Sequence, residues 1–506
     1  MSITSSENVF DLYIDGKAYR PEAATYIDVI SPATGKVVAR VQNASSVDLD
    51  VAVAAARRAF KAGEWRNMKP ADRSKVLYRI AQQIASNAPE LAALEVAASG
   101  GTIKRILGLD IPAVVDLFMT LAEEVKTYQF VEYISPRPFP EQMHSQIIKE
   151  PIGVCGLITA WNFPILLACM KLAPALACGN TVVIKPASNT PTSTIRLIEL
   201  IGEVVPAGVV NVINGPGAEL GDAMTLHKDI DKISFTGSTE IGKRVQRNAA
   251  ETLKRVTLEL GGKGAAIVMP DADIERAAYG ALFGVYFNSG QACESATRLI
   301  VHESIYEPLL QRLKEISETV VVGDPMDPAT AMGPMSSESH FRKVMSFIES
   351  ASRDGARIVS GGDQMSVPNC EGGFFVRPTI IADVDNGMNV AQQEIFGPVL
   401  SVIKFSTTEE AMQIANDTIY GLSAGIWTSN VVEAQALARR LNSGSVWIND
   451  WHMMRTDVPF GGYKQSGYGR EFSKYSFESY LETKAITTSF ETNVANKALY
   501  KIVHSL

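Results

Sequence analysis

The sequence predicts an α/β protein with two large domains, each built around a mainly parallel sheet. Its 506 residues exceed the roughly 250–300 residues that one hydrophobic core supports. From about residue 150, short β-branched runs alternate with amphipathic stretches, and this alternation is typical of parallel sheets covered on both faces. An apolar fraction of 46% and a charged fraction of 20% are ordinary for a globular protein.

Four β-branched runs carry the first part of this alternation. They are VVIK, VVNVI, KISF and VTLEL, and each ends at a loop that contains glycine or proline. The stretch TSTIRLIELIGEV between the first two has apolar residues at helical spacing, and we expect its first threonine to cap the helix. Because ligands usually bind where parallel strands end, the loops after these runs are predicted to form a site.

The apolar segment at residues 152–170, IGVCGLITAWNFPILLACM, could be mistaken for a membrane span. Its central Asn-Phe-Pro and the lysine that follows it favour a buried strand, a turn and a helix instead. No contact with a membrane is therefore predicted.

A second α/β region begins near Gly262. AAIVMP, FFVRPTII and SVIKF are predicted strands, while DADIERAAYGALFGVYF and TTEEAMQIANDT are predicted helices. The tail contains a further predicted strand in SYLETKAITTSF, and an exposed terminal strand can pair with another subunit. The stretch at residues 131–150 interrupts the first region and is a candidate partner for this strand in an oligomer.

Charge and composition exclude several classes of function. A formal net charge of −8 and a pI near 5.5 argue against nucleic-acid binding, which usually requires a basic surface. Five cysteines without a CxxC pair favour reduced thiols in a cytoplasmic protein over a disulfide framework or a zinc site. None of the six histidines has the spacing of a ligand set or of a Cys-His hydrolase, so no metal is predicted. No secretory signal is visible.

Three residues near the ends of predicted elements could carry chemistry. Cys293 lies in NSGQACESATR, where a Gly-Gln turn could present its thiol and its backbone amide together. Asn162 in AWNFP could donate to an oxyanion, although a turn-forming asparagine is the commoner case. Glu259 in LELGGKG could be a general base whose pKa is raised by burial, or a surface acid at a strand end. Glu294 is expected to point away from Cys293, because adjacent side chains on an extended segment face opposite ways.

Two glycine-rich loops are candidates for phosphate binding. One is NGPGAELG, which contains Gly217 and Gly221, and the other is FTGSTEIG, which contains Phe235 and Ser238 just before a predicted helix. Neither has the GxGxxG fingerprint. Lys185 at the end of VVIK could reach a phosphate or a ribose, or could be a strand-end lysine without a ligand.

Several motifs occur in an order that resembles the aldehyde dehydrogenase superfamily. They are AWNFP, KPASNTP, FTGSTEIGK, LELGGK, NSGQACESATR, QQEIFGPV and PFGGYKQSGYGRE, and the resemblance runs from about residue 12 to residue 490. It implies a Rossmann-like NAD(P)-binding domain at residues 1–128 and 152–261 and an α/β catalytic domain at residues 262–465. It also implies a small β bridging and oligomerisation domain at residues 129–151 and 466–506, with a homotetramer favoured over a dimer.

The resemblance also implies the roles of individual residues. Cys293 would attack the carbonyl of an aldehyde, and Asn162 with the Cys293 amide would hold the oxyanion. NAD or NADP would take the hydride and leave a thioester, which Glu259 would hydrolyse to the acid through an activated water. Lys171 and Glu471 match positions that help to relay the proton. The implied cofactor contacts are Trp161, Lys185, Ser188, Gly217, Gly221, Phe235, Ser238, Glu394 and Phe396.

One departure from the family pattern concerns the choice between NAD and NADP. Members that prefer NAD usually carry a glutamate in a KPxE motif, where this chain has Lys185-Pro186-Ala187-Ser188. Because serine removes the charge that would repel a 2′-phosphate, we expect NADP to be tolerated, and a preference for NADP is the stronger form of this hypothesis.

The substrate is predicted from positions that match the aldehyde tunnel of the family. They are Phe163, Leu167, Met170, Phe287, Trp451, His452, Met454, Arg455 and Phe460. Because this set is apolar, aromatic and rich in methionine, it favours aromatic or medium aliphatic aldehydes over betaine-like cations. Arg455 supports an alternative, a semialdehyde whose carboxylate pairs with the guanidinium, unless the side chain faces solvent or a subunit interface. The sequence also leaves open two other functions, a scaffold protein without catalysis and a cysteine hydrolase. Aldehyde turnover that strictly requires a nicotinamide cofactor would exclude both.

Overall fold

A computed structural model describes residues 8–137 and 143–505 of the chain. Predictions that fall on residues 1–7, 138–142 and 506, which belong to the outer domain limits and the bridging segment, lie outside the described residues. The fold is α/β, as the sequence predicts, and two large sheets carry most of its strands.

The first large sheet has eight strands, and the five at its centre are parallel. Its strand order is Gly467–Tyr468, Arg255–Glu259, Lys232–Thr236, Val154–Ile158, Thr181–Lys185, Val210–Val212, Leu12–Ile14 and Lys17–Tyr19. The strands at both ends pair antiparallel with their neighbours. The four predicted runs VVIK, VVNVI, KISF and VTLEL are all among the five parallel strands.

Both faces of this sheet are covered, as its continuously apolar strands require. Along Val154–Ile158, Cys155 and Leu157 belong to one hydrophobic cluster, whereas Val154 and Ile158 belong to another on the opposite face. The helices of the first cluster are Pro70–Ser86, Ala88–Ser99, Ile111–Thr127, Pro164–Ala177 and Thr192–Gly202. Those of the second cluster are Ser46–Ala62, Asp222–Leu226 and Thr239–Ala250.

The second large sheet has seven strands. Its order is Arg357–Ser360, Thr379–Ala382, Val399–Phe405, Arg298–His302, Ala265–Val268, Ser423–Trp427 and Ser445–Ile448, and only the first pair is antiparallel. The helices that follow or cover these strands are Ile274–Tyr286, Tyr306–Ser317, Glu338–Arg353, Asn389–Gln392, Thr408–Asn416 and Val431–Ala438. This sheet confirms that the region after Gly262 is also α/β.

A third sheet joins the tail to the segment that interrupts the first α/β region. Its antiparallel strands are Leu481–Ser489, Met143–Pro151 and Val131–Arg137. The predicted partner of the terminal strand is therefore correct, but the pairing lies within the chain rather than between subunits.

The remaining strands and turns are short. Val9–Phe10, Val37–Asn43 and Thr25–Ile30 form a small sheet, and Gln364–Met365 pairs with Phe375–Val376. Short helical turns lie at Ile103–Arg105, Ile106–Asp110, Gly217–Gly221, Phe287–Gly290, Glu303–Ile305, Lys464–Ser466, Lys474–Tyr480, Val494–Asn496 and Tyr500–Ile502.

Two local predictions are wrong. Helix Thr192–Gly202 has no side-chain cap, because Thr192 is already its first residue and its hydroxyl donates to the backbone oxygen of Leu94. The run FFVRPTII is two strands in different sheets, divided before Thr379 by Pro378, which has no N–H to continue a ladder.

The apolar segment at residues 152–170 forms the strand Val154–Ile158 and most of the helix Pro164–Ala177, as predicted. Every residue of that helix is buried, so the polar Lys171 on it needs a partner inside the protein. Within residues 8–137 and 143–505, no helix combines the length and apolar character that a bilayer crossing requires.

Candidate active site

Cys293 and Asn162 line one cavity at the carboxyl end of the first sheet. Asn162 follows the strand Val154–Ile158, and Cys293 follows the helix Ile274–Tyr286 by way of a short turn. The cavity has a volume of about 210 Å³. Asn162 Nδ2 donates to the backbone oxygen of Gln291 at 2.9 Å, which leaves one amide hydrogen for a ligand.

The turn before Cys293 passes through three consecutive left-handed residues. The φ angle is +50° at Asn288, +57° at Ser289 and +73° at Gly290. A Cβ at Gly290 would lie 2.0 Å from the backbone oxygen of Gly397, so this position requires glycine. Left-handed conformations at the other two residues cost about 1–3 kcal/mol each, and such strain is typical of functional sites.

Glu294 does not point away from Cys293, so that prediction is wrong. Residues 293 and 294 lie in a turn rather than on an extended segment, which brings both side chains to the same side. Cys293 Sγ donates to Glu294 Oε2 at 3.2 Å. The other carboxylate oxygen, Oε1, lies 3.1 Å from Nδ1 of His452.

The surroundings of Cys293 favour its protonated form. Burial raises the pKa of the Cys293 thiol well above its usual range, and the charge and hydrogen bond of Glu294 raise it further. The charges of Glu259 and Glu394 act in the same direction. For Glu294, burial acts to raise the pKa, but the hydrogen bond and charge of His452 outweigh it, and the pKa lies below its usual value.

Glu259 has the properties predicted for a buried base. It ends the strand Arg255–Glu259 and is only 5% exposed. Burial and the nearby charge of Glu471 raise its pKa well above the usual range, while Lys171 and Arg470 oppose that shift. Its Oε2 has no hydrogen-bond partner among the described residues. A carboxylate of this kind accepts a proton more readily than an exposed one.

Lys171 and Glu471 form a buried ion pair behind Glu259. Lys171 Nζ lies 2.7 Å from Glu471 Oε1, and the two side chains are 1% and 3% exposed. Lys171 Nζ also donates to Ser234 Oγ at 3.1 Å, and Thr257 Oγ1 donates to the same hydroxyl at 3.0 Å. The predicted relay residues therefore lie in one polar network inside an apolar core.

Four predicted cofactor contacts line the same cavity as Cys293 and Asn162. They are Trp161, Ser238, Glu394 and Phe396. The Trp161 and Phe396 rings meet edge to face at 5.3 Å. Burial raises the pKa of Glu394 to about 6, and its Oε1 accepts from the backbone N–H of Gly262 at 2.9 Å. A Cβ at Gly261 would lie 2.5 Å from the Glu394 carboxylate, so this glycine leaves room for it.

Two residues of this cavity were missed by the sequence reasoning, His340 and Lys343. Both lie on the helix Glu338–Arg353, and no local motif marks them. The His340 ring contacts Trp161 at 5.1 Å, and its Nε2 lies 2.6 Å from the backbone oxygen of Phe396. Burial lowers the pKa of His340 to about 4, so this imidazole is neutral at physiological pH.

The remaining predicted cofactor residues lie beside or beneath this cavity. Lys185 is buried, its pKa is lowered to about 8 by burial, and its Cε is 3.9 Å from a Cβ placed on Gly221. Gly217 begins the same turn and has open space where a side chain would be. Phe235 packs against Gly237, which lines the cavity, and Ser188 is partly exposed.

An aromatic wall lies next to Asn162. The rings of Phe163 and Phe287 stack at 5.8 Å, and the Phe287 ring contacts His452 at 4.7 Å. Leu167 and Met170 are buried on the helix Pro164–Ala177. Phe287 also borders a mainly apolar cavity of about 680 Å³, whereas Met454 and Phe460 border a separate one of about 280 Å³.

Two residues predicted for the tunnel wall make contacts that the sequence did not predict. Trp451 is 1% exposed and stacks on Trp427 in the core of the second sheet, which corrects its predicted place in the tunnel. Arg455 borders the same cavity of about 280 Å³ as Met454 and Phe460, but its side chain is 70% exposed, and both oxygens of Asp457 accept from its guanidinium at 2.6–2.8 Å. The guanidinium is therefore committed to a surface ion pair.

No group of three or more His, Cys, Asp or Glu side chains in the described ranges is arranged to hold a metal ion. All five cysteines are free thiols in the structure.

Comparison with known proteins identifies the family. Residues 19–486 match the model of the aldehyde dehydrogenase family. The chain belongs to this family. As an aldehyde dehydrogenase it is an oxidoreductase that acts on aldehydes.

Relatives of this aldehyde dehydrogenase are similar over almost the whole chain. It is 42% identical to an aldehyde dehydrogenase of Alternaria alternata, over 95% of this chain and 94% of the relative. A betaine aldehyde dehydrogenase of Staphylococcus aureus, solved in complex with NAD+, has a TM-score of 0.93 at 40% identity and 96% coverage of both chains. The indole-3-acetaldehyde dehydrogenase AldA of P. syringae, solved as a cysteine-to-alanine variant with NAD+ and IAA, has a TM-score of 0.92 at 41% identity, covering 95% and 96%.

Proposed function

We propose that this aldehyde dehydrogenase oxidises an aromatic or medium aliphatic aldehyde to its carboxylic acid with NAD or NADP, through a thioester on Cys293. One observation carries the proposal. Cys293, Asn162 and Glu394 share one cavity, while the charge of Glu259, a carboxylate with a raised pKa, acts on the same thiol.

The first step forms a bond between Cys293 and the substrate. As the Sγ–C bond forms, the thiol proton passes to its hydrogen-bond acceptor, Glu294 Oε2, and the π electron pair of the carbonyl moves onto oxygen. The free amide hydrogen of Asn162 and the backbone N–H of Cys293 are the donors for this oxyanion. Removing one such donor from an oxyanion site typically costs a factor of about 10²–10³ in kcat.

The residues around the cavity fit a nicotinamide dinucleotide. Glu394 offers carboxylate oxygens to ribose hydroxyls, Trp161 and Phe396 offer flat apolar surfaces, and Gly217 leaves open space near Lys185. When bound, the cofactor accepts the hydride that converts the thiohemiacetal to a thioester. The NAD+ held by the two solved relatives supports NAD, and Ser188 in place of an acid supports tolerance of NADP.

Glu259 is the base for hydrolysis of the thioester. It takes a proton from the attacking water, the acyl C–Sγ bond breaks, and the electron pair returns to Cys293 as a thiolate. Because burial raises the pKa of Glu259, it holds that proton more readily than an exposed carboxylate would. The charges of Lys171 and Glu471, which form a buried ion pair, both act on Glu259, and this supports their proposed role in relaying the proton.

The aromatic wall supports the proposed class of substrate. Phe163, Phe287 and His452 pack in series, and Phe287 borders the large apolar cavity. One relative is named for betaine aldehyde, which is cationic, and another for indole-3-acetaldehyde, which is aromatic. Their sequence identities to this chain are almost equal, so the names do not decide between the two classes of substrate. The alternative semialdehyde depends on Arg455, which borders the cavity of Met454 and Phe460 but whose guanidinium is paired with Asp457.

The predicted division into cofactor-binding, catalytic and bridging domains is part of the proposal, as are the homotetramer and the cytoplasmic location. The three sheets at corresponding positions along the chain support the division. The exposed residues of the strand Leu481–Ser489 support an oligomer, because an uncovered strand can bind a second copy.

A panel of aldehydes tests the proposed function. The purified protein would be assayed with benzaldehyde, hexanal, succinic semialdehyde, aminobutyraldehyde and betaine aldehyde, with NAD, with NADP and without a cofactor. We expect no oxidation without a cofactor. We also expect the kcat/KM for benzaldehyde or hexanal to be at least about tenfold higher than the kcat/KM for the charged aldehydes, which corresponds to a free-energy difference of about 1.4 kcal/mol. Preference for succinic semialdehyde or betaine aldehyde would refute the substrate class.

A further inference from the structure

A continuous chain of contacts leads from the thiol of Cys293 into the wall of the site. Cys293 Sγ donates to Glu294 Oε2 at 3.2 Å, and Glu294 Oε1 lies 3.1 Å from His452 Nδ1. The second ring nitrogen, Nε2, lies 3.2 Å from the backbone oxygen of Gly284. The side chains of Glu294 and His452 are 3% and 2% exposed, so water does not compete for these contacts.

The positions of Glu294 and His452 are fixed by packing. The Oγ of Ser423 and the indole N–H of Trp451 both donate to the backbone oxygen of Glu294, at 2.9 and 2.8 Å. The His452 ring packs against Phe287 at 4.7 Å and against Phe283 at 5.3 Å. The carboxylate therefore has little freedom to turn away from the thiol.

Counting hydrogens shows what state this chain of contacts requires. A carbonyl oxygen only accepts, so Nε2 of His452 must carry a hydrogen toward Gly284. Nδ1 faces a carboxylate oxygen, so one further proton must lie between Nδ1 and Glu294. That proton engages only Nδ1 and Oε1, so Oε2 remains an acceptor for the thiol hydrogen of Cys293.

Loss of the thiol hydrogen would leave an uncompensated negative charge at this point. His452 already faces Glu294, so it is not aimed at the sulfur, and Glu259 and Glu394 are further carboxylates whose charges act on Cys293. In a buried site, such like charges disfavour a thiolate.

We propose that Glu294, held by His452, is a positioning residue that keeps the Cys293 thiol protonated and hydrogen-bonded to the wall in the resting enzyme. This inference rests on the proposed function, in which Cys293 is the nucleophile. The thiolate, not the thiol, reacts with peroxides and alkylating agents, so the contact protects the nucleophile between turnovers. We name Glu294 and His452 together the thiol clasp.

The pH dependence of alkylation tests the thiol clasp. The rate at which iodoacetamide modifies Cys293 would be followed by mass spectrometry of its peptide in the wild-type enzyme and in Glu294→Gln. The midpoint is the pH at which the alkylation rate reaches half of its maximum. For the wild-type enzyme we expect this midpoint to lie above the pKa of about 8.5 for free cysteine. For Glu294→Gln we expect it to be at least one pH unit lower than in the wild-type enzyme. At pH 7.5 this shift corresponds to alkylation about tenfold faster. Inactivation by hydrogen peroxide should be accelerated in the same proportion.

A matched control separates the contact from the general effect of a nearby charge. Glu394→Gln makes the same chemical change at a carboxylate that also faces this thiol but does not hydrogen-bond to it. We expect its midpoint to shift by less than half as much as that of Glu294→Gln. Equal shifts in the two variants, or an unchanged midpoint in Glu294→Gln, would overturn the inference.

Two further measurements complete the test. If Glu294→Gln does not fold, Glu294→Ser takes its place. A midpoint of alkylation below about pH 8 in the wild-type enzyme would overturn the thiol clasp without any variant. Cys293→Ser identifies which idea has failed. Aldehyde oxidation by Cys293→Ser would refute the proposed function, whereas an inactive Cys293→Ser combined with an unshifted Glu294→Gln would refute the clasp alone.

Discussion

The buried ion pair between Lys171 and Glu471 permits an energetic prediction that can be worked from the structure. The two side chains are 1% and 3% exposed, and Nζ and Oε1 are 2.7 Å apart. At that distance two unit charges attract by about 6 kcal/mol in an effective dielectric constant of about 20. Most of this attraction only offsets the cost of removing both charges from water, whereas removing one partner leaves that cost uncompensated and typically destabilises by about 3–5 kcal/mol.

We therefore expect Lys171→Met to lower the free energy of unfolding by about 3–5 kcal/mol. The double variant Lys171→Met/Glu471→Leu removes both charges, so it should recover most of that loss. Because an unpaired buried carboxylate takes up a proton readily, the loss in the single variant should be smaller at pH 5 than at pH 8. The double variant should not show this difference.

Denaturant unfolding monitored by tryptophan fluorescence measures these changes, at one fixed protein concentration because oligomerisation adds to stability. Lys75→Met is the control, since Lys75 pairs with Asp72 at the surface and its replacement should change stability by less than about 1 kcal/mol. A single-variant loss below about 1 kcal/mol, or a double variant as unstable as the single one, would refute the reasoning.

Three further predictions concern the reaction. Asn162→Ala should lower kcat by about 10²–10³ while cofactor binding, measured by fluorescence titration, is unchanged. Ser188→Glu should raise the KM for NADP by more than about tenfold and leave the KM for NAD nearly unchanged, because it restores a charge that repels the 2′-phosphate. Equal changes in the two KM values would refute the role of Ser188. Arg455→Gln should leave kcat/KM within about twofold for every aldehyde in the panel, because its partner is the exposed Asp457.

Much of the fold could be predicted because strands and helices leave a periodic trace in the sequence. The runs VVIK, KISF and VTLEL are short, β-branched and closed by glycine or proline, and each is a parallel strand of the first sheet. The run FFVRPTII has the same composition, but it contains a proline, and its two halves pair with different strands. Sequence periodicity does not specify which strand a residue pairs with.

The positions of Cys293, Asn162 and Glu259 could be predicted from motifs, but the contacts of Glu294 could not. The rule that adjacent side chains face opposite ways holds for extended chain, and the left-handed residues at 288–290 lead into a turn instead. His452 is 158 positions away and has a φ of +55°, which no local pattern predicts. His340 and Lys343 were missed for a similar reason, because they reach the cavity only through the packing of a helix.

Trapping the acyl-enzyme tests the central claim most directly, which is that Cys293 carries the substrate and Glu259 releases it. In Glu259→Gln, hydride transfer can proceed but the base for hydrolysis is absent. Benzaldehyde and NAD mixed rapidly with this variant should give about one reduced cofactor per subunit and then stall. Mass spectrometry should find the benzoyl group on the Cys293 peptide.

The same experiment at several pH values uses the raised pKa of Glu259. In the wild-type enzyme, the rate of thioester hydrolysis should rise with pH until it passes that pKa, because only the deprotonated carboxylate accepts a proton from water. In Glu259→Gln the residual rate should not show this rise. A stalled burst with the acyl group on Cys293 is the predicted result, and full turnover by Glu259→Gln or an acyl group on another cysteine would contradict it.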